Sequence, residues 1–176
     1  MKHSAIALLF AGLAASVPAM ALDGYIAEVG SGDEVQSLRV GMIRQWDRQW
    51  LNRGHWHLTG YWEATLAYLN SDRPDGKSAA DIGLSPVWRF RPNASGGAQP
   101  YWDVALGLHL LTTTRLDSKH DLGSALQLAP LVGLGVTFGE KSQYDLGYRF
   151  QHLTNAGIKD PDDGLSLHQV RLTYLY

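Results

Sequence analysis

The 176-residue sequence contains no cysteine, so disulfide bonds and thiolate chemistry are excluded, and a zinc site would need histidine and carboxylate ligands alone. It also lacks an excess of basic residues, because 15 Lys and Arg stand against 17 Asp and Glu, for a net charge of −2. That balance argues against nucleic acid as a partner. Beyond the N-terminal region no run of about 20 apolar residues occurs, so no membrane-spanning helix is predicted.

The N-terminus has the features of a secretory signal peptide. Lys2 and His3 give it a basic start, and an apolar stretch then leads to an Ala-Met-Ala cleavage site that ends at Ala21. The alternative is an uncleaved membrane anchor, but the apolar stretch is short for a membrane span and no stop-transfer flank follows it. We therefore predict a signal peptide over residues 1–21 and one domain over residues 22–176.

That domain alternates between large apolar residues and small, polar or charged ones, which is the two-residue period of a β-strand. For example, Trp56, Leu58 and Trp62 share one face, whereas His57 and Glu63 share the other. The alternation and the turn signals between segments predict eight strands, at residues 24–31, 35–47, 56–70, 79–92, 99–112, 125–139, 142–155 and 165–176. An even number of antiparallel strands can close into a barrel without a free edge, as a bilayer requires.

The larger and more aromatic face of these strands favours a barrel whose outer wall meets lipid. Charged residues fall on the opposite face, where we expect them to pair inside the barrel: Glu63, Arg89, Asp103, Asp145 and Arg149. An aromatic last residue on an alternating strand, here Tyr176, is typical of outer-membrane barrels. We therefore predict an all-β, eight-stranded antiparallel transmembrane β-barrel in the bacterial outer membrane, with both termini in the periplasm.

Polar side chains interrupt the apolar face at the outer end of the last two predicted strands. They are His152 and Thr154 on one strand and Ser166 and His168 on the other. One interpretation is that the strands leave the hydrocarbon here, so these groups contact water and lipid headgroups. The other is a base and a hydroxyl nucleophile, because side chains two residues apart on a strand point the same way. The pattern alone leaves both interpretations open.

The same segment resembles a known family. His152-Leu153-Thr154-Asn155-Ala156-Gly157, followed by Pro161 and Asp163-Gly164, is similar to the His-x-Ser-Asn-Ala-Gly motif of the lipid A 3-O-deacylase (PagL) family. Further similar segments are Trp46-Asp47 with Trp50, Leu58-Thr59-Gly60-Tyr61-Trp62-Glu63, Ser85-Pro86-Val87 and Leu122-Gly123-Ser124. The resemblance spans essentially the whole mature chain. It implies an outer-membrane esterase that removes the 3-O-linked acyl chain of lipid A, with lipopolysaccharide as substrate and no metal or other cofactor.

The resemblance also implies a role for each motif residue. The implied catalytic residues are His152, Thr154 and Ser166, and the implied oxyanion-stabilising residues are Asn155, Ala156 and Gly157. His152 would be the general base, Thr154 takes the place of the family's serine nucleophile, and Ser166 stands where an acidic residue would orient the histidine. The oxyanion would be held by Asn155 and by backbone N–H groups near Ala156 and Gly157.

Two of these positions depart from the family pattern. Thr154 keeps a hydroxyl, but its methyl group stiffens the side chain and crowds the approach to the oxygen. Ser166 cannot supply the charge that stabilises an imidazolium. The loop between the two strands contains Asp160, Asp162 and Asp163, any of which could replace the acid, and Asp163 is nearest to Ser166 in sequence.

Other functions remain open at this stage. A catalytically weakened or inactive member of the family would keep the fold with a structural or lipid-interacting role, and the two departures favour it. A pore is disfavoured because eight strands enclose little more than their own side chains. A soluble lipocalin-like binder would need the apolar face inside.

His55 and His57 have the spacing of a metal chelate, but solvent or headgroup contact fits them better. A homodimer is compatible with the sequence, which contains no feature that sets the oligomeric state.

Overall fold

The computed structural model describes residues 22–93 and 97–176, so the predicted signal peptide lies outside the described residues. Its strands are β1 (Gly24–Gly32), β2 (Val35–Gln45), β3 (Trp50–Arg53), β4 (Trp56–Ser71), β5 (Ser78–Pro92), β6 (Gln99–Leu111), β7 (Leu126–Phe138), β8 (Tyr144–Leu153) and β9 (Leu165–Leu175). All neighbouring strands are antiparallel, and the sheet closes because β1 pairs with both β2 and β9 while β2 also pairs with β4. Within the described part of the chain, no helix is long and apolar enough to cross a membrane.

The wall of the barrel has eight strands, as predicted, and a short additional strand, β3, lies in the segment that was predicted to be a loop before β4. The prediction of one strand over 35–47 and a loop before residue 56 was wrong in detail, because β2 ends at Gln45 and β3 resumes along β4. Just beyond β2, Trp46 N–H still donates to Gly60 O at 2.9 Å, and the Trp46 indole lies over Gly60 so closely that a Cβ there would meet the ring at 2.1 Å. Leu51 adopts a left-handed φ of 53°, which shifts the register between β3 and β4.

The apolar face of the strands points outward and the polar face points inward. Along β8 the side chains alternate between exposed or half-buried Tyr144, Leu146, Tyr148 and Phe150 and buried Asp145, Arg149 and Gln151. Apolar side chains point outward around the rest of the barrel as well, where Trp102, Leu106, Leu134 and Val170 are exposed. Because an outward apolar wall is stable only against hydrocarbon, the fold spans a membrane and is not a lipocalin-like soluble barrel.

The interior is filled by paired charges. Glu63 receives hydrogen bonds from Arg149 at 3.0 and 3.1 Å and from Arg171 at 2.5 Å. Arg89 binds Asp103 at 2.8 Å and Asp145 at 2.6 Å. These contacts confirm the predicted interior pairs, and they satisfy charges that would otherwise be costly to bury.

An apolar layer closes the barrel interior at the end that carries the motif. It is formed by Val35, Leu69, Ala79, Leu111, Leu116, Leu122, Ala129, Leu153, Leu165 and Leu167. The loop segments at this end contact one another, since Lys77 N–H donates to Leu116 O at 2.8 Å and Asp163 N–H to Asp121 O at 3.2 Å. Both chain ends described here lie at the opposite rim, where Tyr176 N–H donates to Asp23 O at 3.1 Å. Outer-membrane barrels have short periplasmic turns and longer outer loops, so the motif lies at the outer rim.

The charge network predicts how the barrel responds when one partner is removed. Glu63→Leu leaves Arg149 and Arg171 without their shared carboxylate, and losing one partner of a buried ion pair costs about 3–5 kcal/mol. We expect the urea midpoint of unfolding, followed by tryptophan fluorescence in detergent micelles, to fall in Glu63→Leu. Glu140→Gln, at an exposed turn position, is the control, and its urea midpoint should equal that of the wild type. Equal midpoints for Glu63→Leu and wild type would contradict the role given to the network.

Candidate active site

His152 and Ser166 are directly opposite each other on β8 and β9, and both side chains point to the outer wall. The Nδ1 atom of His152 lies 3.0 Å from the Ser166 hydroxyl oxygen. With the proton on Nδ1, the Ser166 hydroxyl oxygen accepts the hydrogen bond from Nδ1–H, and Nε2 is the unprotonated, basic nitrogen. Ser166 therefore fixes the orientation of the imidazole ring but brings no charge to it.

The other edge of the His152 ring faces Gly164, which lies one residue beyond the last β8–β9 pair, Leu153 with Leu165. A Cβ on Gly164 would stand 2.9 Å from Nε2 and 2.7 Å from Cε1 of His152. Gly164 also has a φ of 67°, which favours glycine. The Nε2 edge of the ring therefore lies against the backbone at Gly164.

Thr154 is held by hydrogen bonds at its backbone and at its side chain. Its N–H and C=O pair with Leu128 of β7 at 3.0 and 2.7 Å. Its hydroxyl donates to the Asp162 carboxylate at 2.7 Å and accepts the N–H of Ala156 at 2.9 Å. The hydroxyl therefore hydrogen-bonds to the loop that follows β8 rather than to His152.

Of the three aspartates in the β8–β9 loop, Asp162 is the one whose side chain contacts Thr154. Besides the Thr154 hydroxyl, its carboxylate accepts the N–H groups of Asn155 and Gly157, each at 3.0 Å. Burial raises the pKa of Asp162, but the hydrogen bonds from Thr154, Asn155 and Gly157 together outweigh it and hold this pKa below its usual range. The side chain is consequently ionised at neutral pH.

The side chain of Asn155 points inward and is almost fully buried. Its amide nitrogen donates to Leu122 O at 2.9 Å and to Lys159 O at 2.7 Å, so the side chain fastens the loop to the neighbouring loop. Ala156 and Gly157 follow with left-handed φ values of 56° and 70°. This local backbone turns the N–H groups of residues 155–157 toward Thr154 and Asp162.

The remaining candidate acids lie elsewhere. Asp163, nearest to Ser166 in sequence, accepts the N–H of Asp121 at 2.9 Å, and Asp160 is exposed. His168 shares the outer patch, where its Nδ1 lies 2.5 Å from the Tyr148 hydroxyl and its ring packs against Phe150. The structure thus brings His152 and Ser166 together, places Thr154 with Asp162, and leaves His168 with two aromatic residues.

The metal-binding interpretation gains no support. Among residues 22–93 and 97–176, no three His, Cys, Asp or Glu side chains are grouped closely enough to hold a metal ion. His55 is exposed, and His57 contacts Asn93 at 2.5 Å.

Sequence reasoning gave Gly164 no role of its own and left open which of Asp160, Asp162 and Asp163 enters the site. The Asp-Gly pair at 163–164 could have indicated a left-handed residue beside the site, because Gly is the usual residue at positive φ. Nothing in the sequence distinguishes the three loop aspartates, since the loop has no period that fixes which side chain points inward.

Comparison with known proteins identifies relatives over most of the chain. The model of the family "Lipid A 3-O-deacylase (PagL)" matches residues 36–175. Lipid A deacylase PagL of Pseudomonas aeruginosa is 28% identical over 86% of this chain and 85% of its own, and that of Bordetella bronchiseptica is 29% identical over 87% and 82%. The crystal structure of the outer membrane enzyme PagL is similar with a TM-score of 0.79 at 26% identity, and it covers 87% of this chain and 99% of its own.

The packing of Gly164 against His152 generates a prediction about the geometry of the site. Gly164→Ala should displace the imidazole, because the new methyl group would overlap the ring. The measurement is the shift of the His152 ring signals in NMR spectra of the protein in micelles, assigned with His152→Ala. Gly157→Ala is the matched control, since Gly157 also has a positive φ but has open space where its Cβ would lie. Equal shifts in the two variants would assign the effect to backbone strain instead.

Proposed function

This chain belongs to the lipid A 3-O-deacylase (PagL) family, and we propose that it hydrolyses the 3-O-linked acyl ester of lipid A with Thr154 as nucleophile and His152 as general base. The chain is an outer-membrane β-barrel. One observation carries the proposed roles: the histidine and the hydroxyl share the lipid-facing side of β8 at the outer rim, and Ser166 holds the ring by Nδ1.

The position of the site suits an ester buried in the membrane. Lipid A has its sugars at the level of the headgroups and its acyl chains in the hydrocarbon, so its ester bonds lie between the two. The outer end of β8 is at that level, where the apolar side chains of Tyr148 and Phe150 give way to His152 and Thr154. A substrate molecule can therefore approach sideways within the outer leaflet, while its acyl chain stays against the apolar wall below the site.

The first half of the reaction forms an acyl-enzyme. The Thr154 oxygen attacks the ester carbonyl carbon while Nε2 of His152 takes the hydroxyl proton, which gives a tetrahedral oxyanion. The bond from that carbon to the sugar oxygen then breaks, and the imidazolium of His152 returns the proton to the leaving oxygen. For this step the Thr154 hydroxyl has to turn from Asp162 toward His152.

The second half releases the fatty acid. Water, deprotonated by His152, attacks the acyl-threonine carbonyl, and the resulting intermediate collapses to the free acid and the Thr154 hydroxyl. In both halves the oxyanion needs fixed donors, and removing one such donor typically costs about 3 kcal/mol. The backbone N–H groups of residues 155–157 are the donors nearest to Thr154, so we assign them this role.

The proposal is tested by mass spectrometry of lipid A from cells that express the chain, with His152→Ala as the control. Loss of one 3-O-linked acyl chain in wild type, and none in the control, supports the proposed roles. A correctly folded barrel that leaves lipid A unchanged would favour the second candidate, a weakened or inactive member of the family. Ser166 in place of an acid is the observation that favours this candidate.

The nucleophile assignment predicts the effect of two substitutions at one position. Thr154→Ala removes the attacking oxygen and should lower the rate of acyl release by about a thousand-fold or more. Thr154→Ser keeps the oxygen without the crowding methyl group, so its rate should equal or exceed that of wild type. The rates are measured on purified lipid A in detergent micelles. Wild-type activity in Thr154→Ala would refute the assignment.

The contact between His152 and Ser166 predicts that a charge at residue 166 raises turnover. Ser166→Glu places a carboxylate beside Nδ1, where it stabilises the imidazolium, and the rate should rise by about ten-fold. Ser166→Ala removes the ring's partner and should lower the rate several-fold. Ser166→Gln, with the size of Glu but no charge, separates charge from packing. If Glu and Gln give the same rate, the imidazolium gains nothing from a carboxylate at this position.

A further inference from the structure

The carboxylate of Asp162 lies where the reaction needs an oxyanion. One of its oxygens, Oδ2, is bound by the Thr154 hydroxyl at 2.7 Å and by Gly157 N–H at 3.0 Å. The other, Oδ1, is bound by Asn155 N–H at 3.0 Å. Oxyanion donors act at about 2.7–3.1 Å from the developing charge, and that charge forms on the carbonyl oxygen, which stays bonded to the carbon that the nucleophile attacks. A group bound at once by the nucleophile and by a backbone N–H therefore stands at the oxyanion position.

We propose that Asp162 is a built-in competitor of the substrate, whose carboxylate fills the oxyanion position of the resting site until an ester carbonyl displaces it. The inference rests on the proposed function, since it takes Thr154 as the nucleophile. A carboxylate bound in this way also resembles the fatty acid that the reaction releases. Two like charges cannot share one set of donors, so Asp162 opposes both the oxyanion and the bound product.

The donors do not depend on Asp162 for their position. Asn155 is fastened by its side chain to Leu122 O and Lys159 O, and the left-handed φ of Ala156 and Gly157 turns the backbone at this point. Thr154 is fixed by two backbone hydrogen bonds to Leu128. When Asp162 withdraws, the N–H groups of residues 155 and 157 are left in place without their carboxylate acceptor, so they can donate to the next acceptor that arrives.

The first test removes the charge and keeps the shape. Asp162→Asn retains an acceptor oxygen but no negative charge, so acyl release from lipid A should be faster than in wild type by about five-fold or more. Asp160→Asn is the matched control, because it removes the same charge from an exposed position of the same loop, and its rate should stay at the wild-type value. Heat-modifiable migration in gels confirms that each barrel is folded. Slower release in Asp162→Asn would show that the carboxylate assists the reaction, and would overturn the inference.

The second test does not depend on turnover. Decanoate, a carboxylate with an acyl tail, is titrated into the protein in detergent micelles while the amide signals of residues 155 and 157 are followed by NMR, with decanol as the uncharged comparison. We expect decanoate to bind Asp162→Asn about ten-fold more tightly than wild type, and decanol to bind both alike. Equal decanoate affinities overturn the inference even in an active enzyme. Tighter decanoate binding without acyl release in any variant would instead keep the inference about the donors and refute the proposed reaction.

Discussion

Everything in this molecule depends on the absence of water from the hydrocarbon of a membrane. Backbone N–H and C=O groups there must pair within the protein, and a closed antiparallel barrel achieves this with strands alone. Closure is completed by the pairing of β2 with β4, and it forces successive side chains to alternate between lipid and interior. The same parity that turns Tyr148 to the lipid and Arg149 to the interior also places His152 and Thr154 on the outer wall.

Buried side chains in the interior hold the outer rim in place from inside. Leu153 and Leu165 alternate with the site residues and are fully buried in the apolar layer that closes the barrel, so the ends of β8 and β9 are held from inside. Beneath that layer, Arg149 and Arg171 join their strands to Glu63 on the opposite wall. The site needs this support because an acyl-transfer reaction tolerates little displacement of its groups. The lipid side is thereby left free for substrate.

The long strands could be predicted from the sequence because their side chains alternate between two faces. The loops have no such alternation, so their course could not be predicted. Strand parity correctly placed His152, Thr154 and Ser166 on one outer patch, because a one-residue error in register would have exposed charges such as Arg149. It missed β3, which lies in the predicted loop and is defined by its pairing with β4 and not by an alternating pattern of its own. It also could not choose between Asp162 and Asp163, since the loop path is set by contacts with Asp121 and Leu122 of another loop.

The two departures from the family motif are connected by electrostatics. Beside His152 the chain has an uncharged Ser166, whereas an ionised Asp162 lies on the opposite side of Thr154, among the N–H donors. A negative charge at residue 166 would stabilise the imidazolium without touching the oxyanion. The charge of Asp162 attracts the same imidazolium, but its carboxylate is bound by the N–H groups of Asn155 and Gly157, which the proposed reaction uses for the oxyanion. In the proposed reaction, the net effect of Asp162 is therefore to oppose the transition state for as long as its carboxylate stays in place. In the proposed reaction, turnover therefore requires the Asp162 carboxylate to move away and the Thr154 hydroxyl to break its hydrogen bond to that carboxylate.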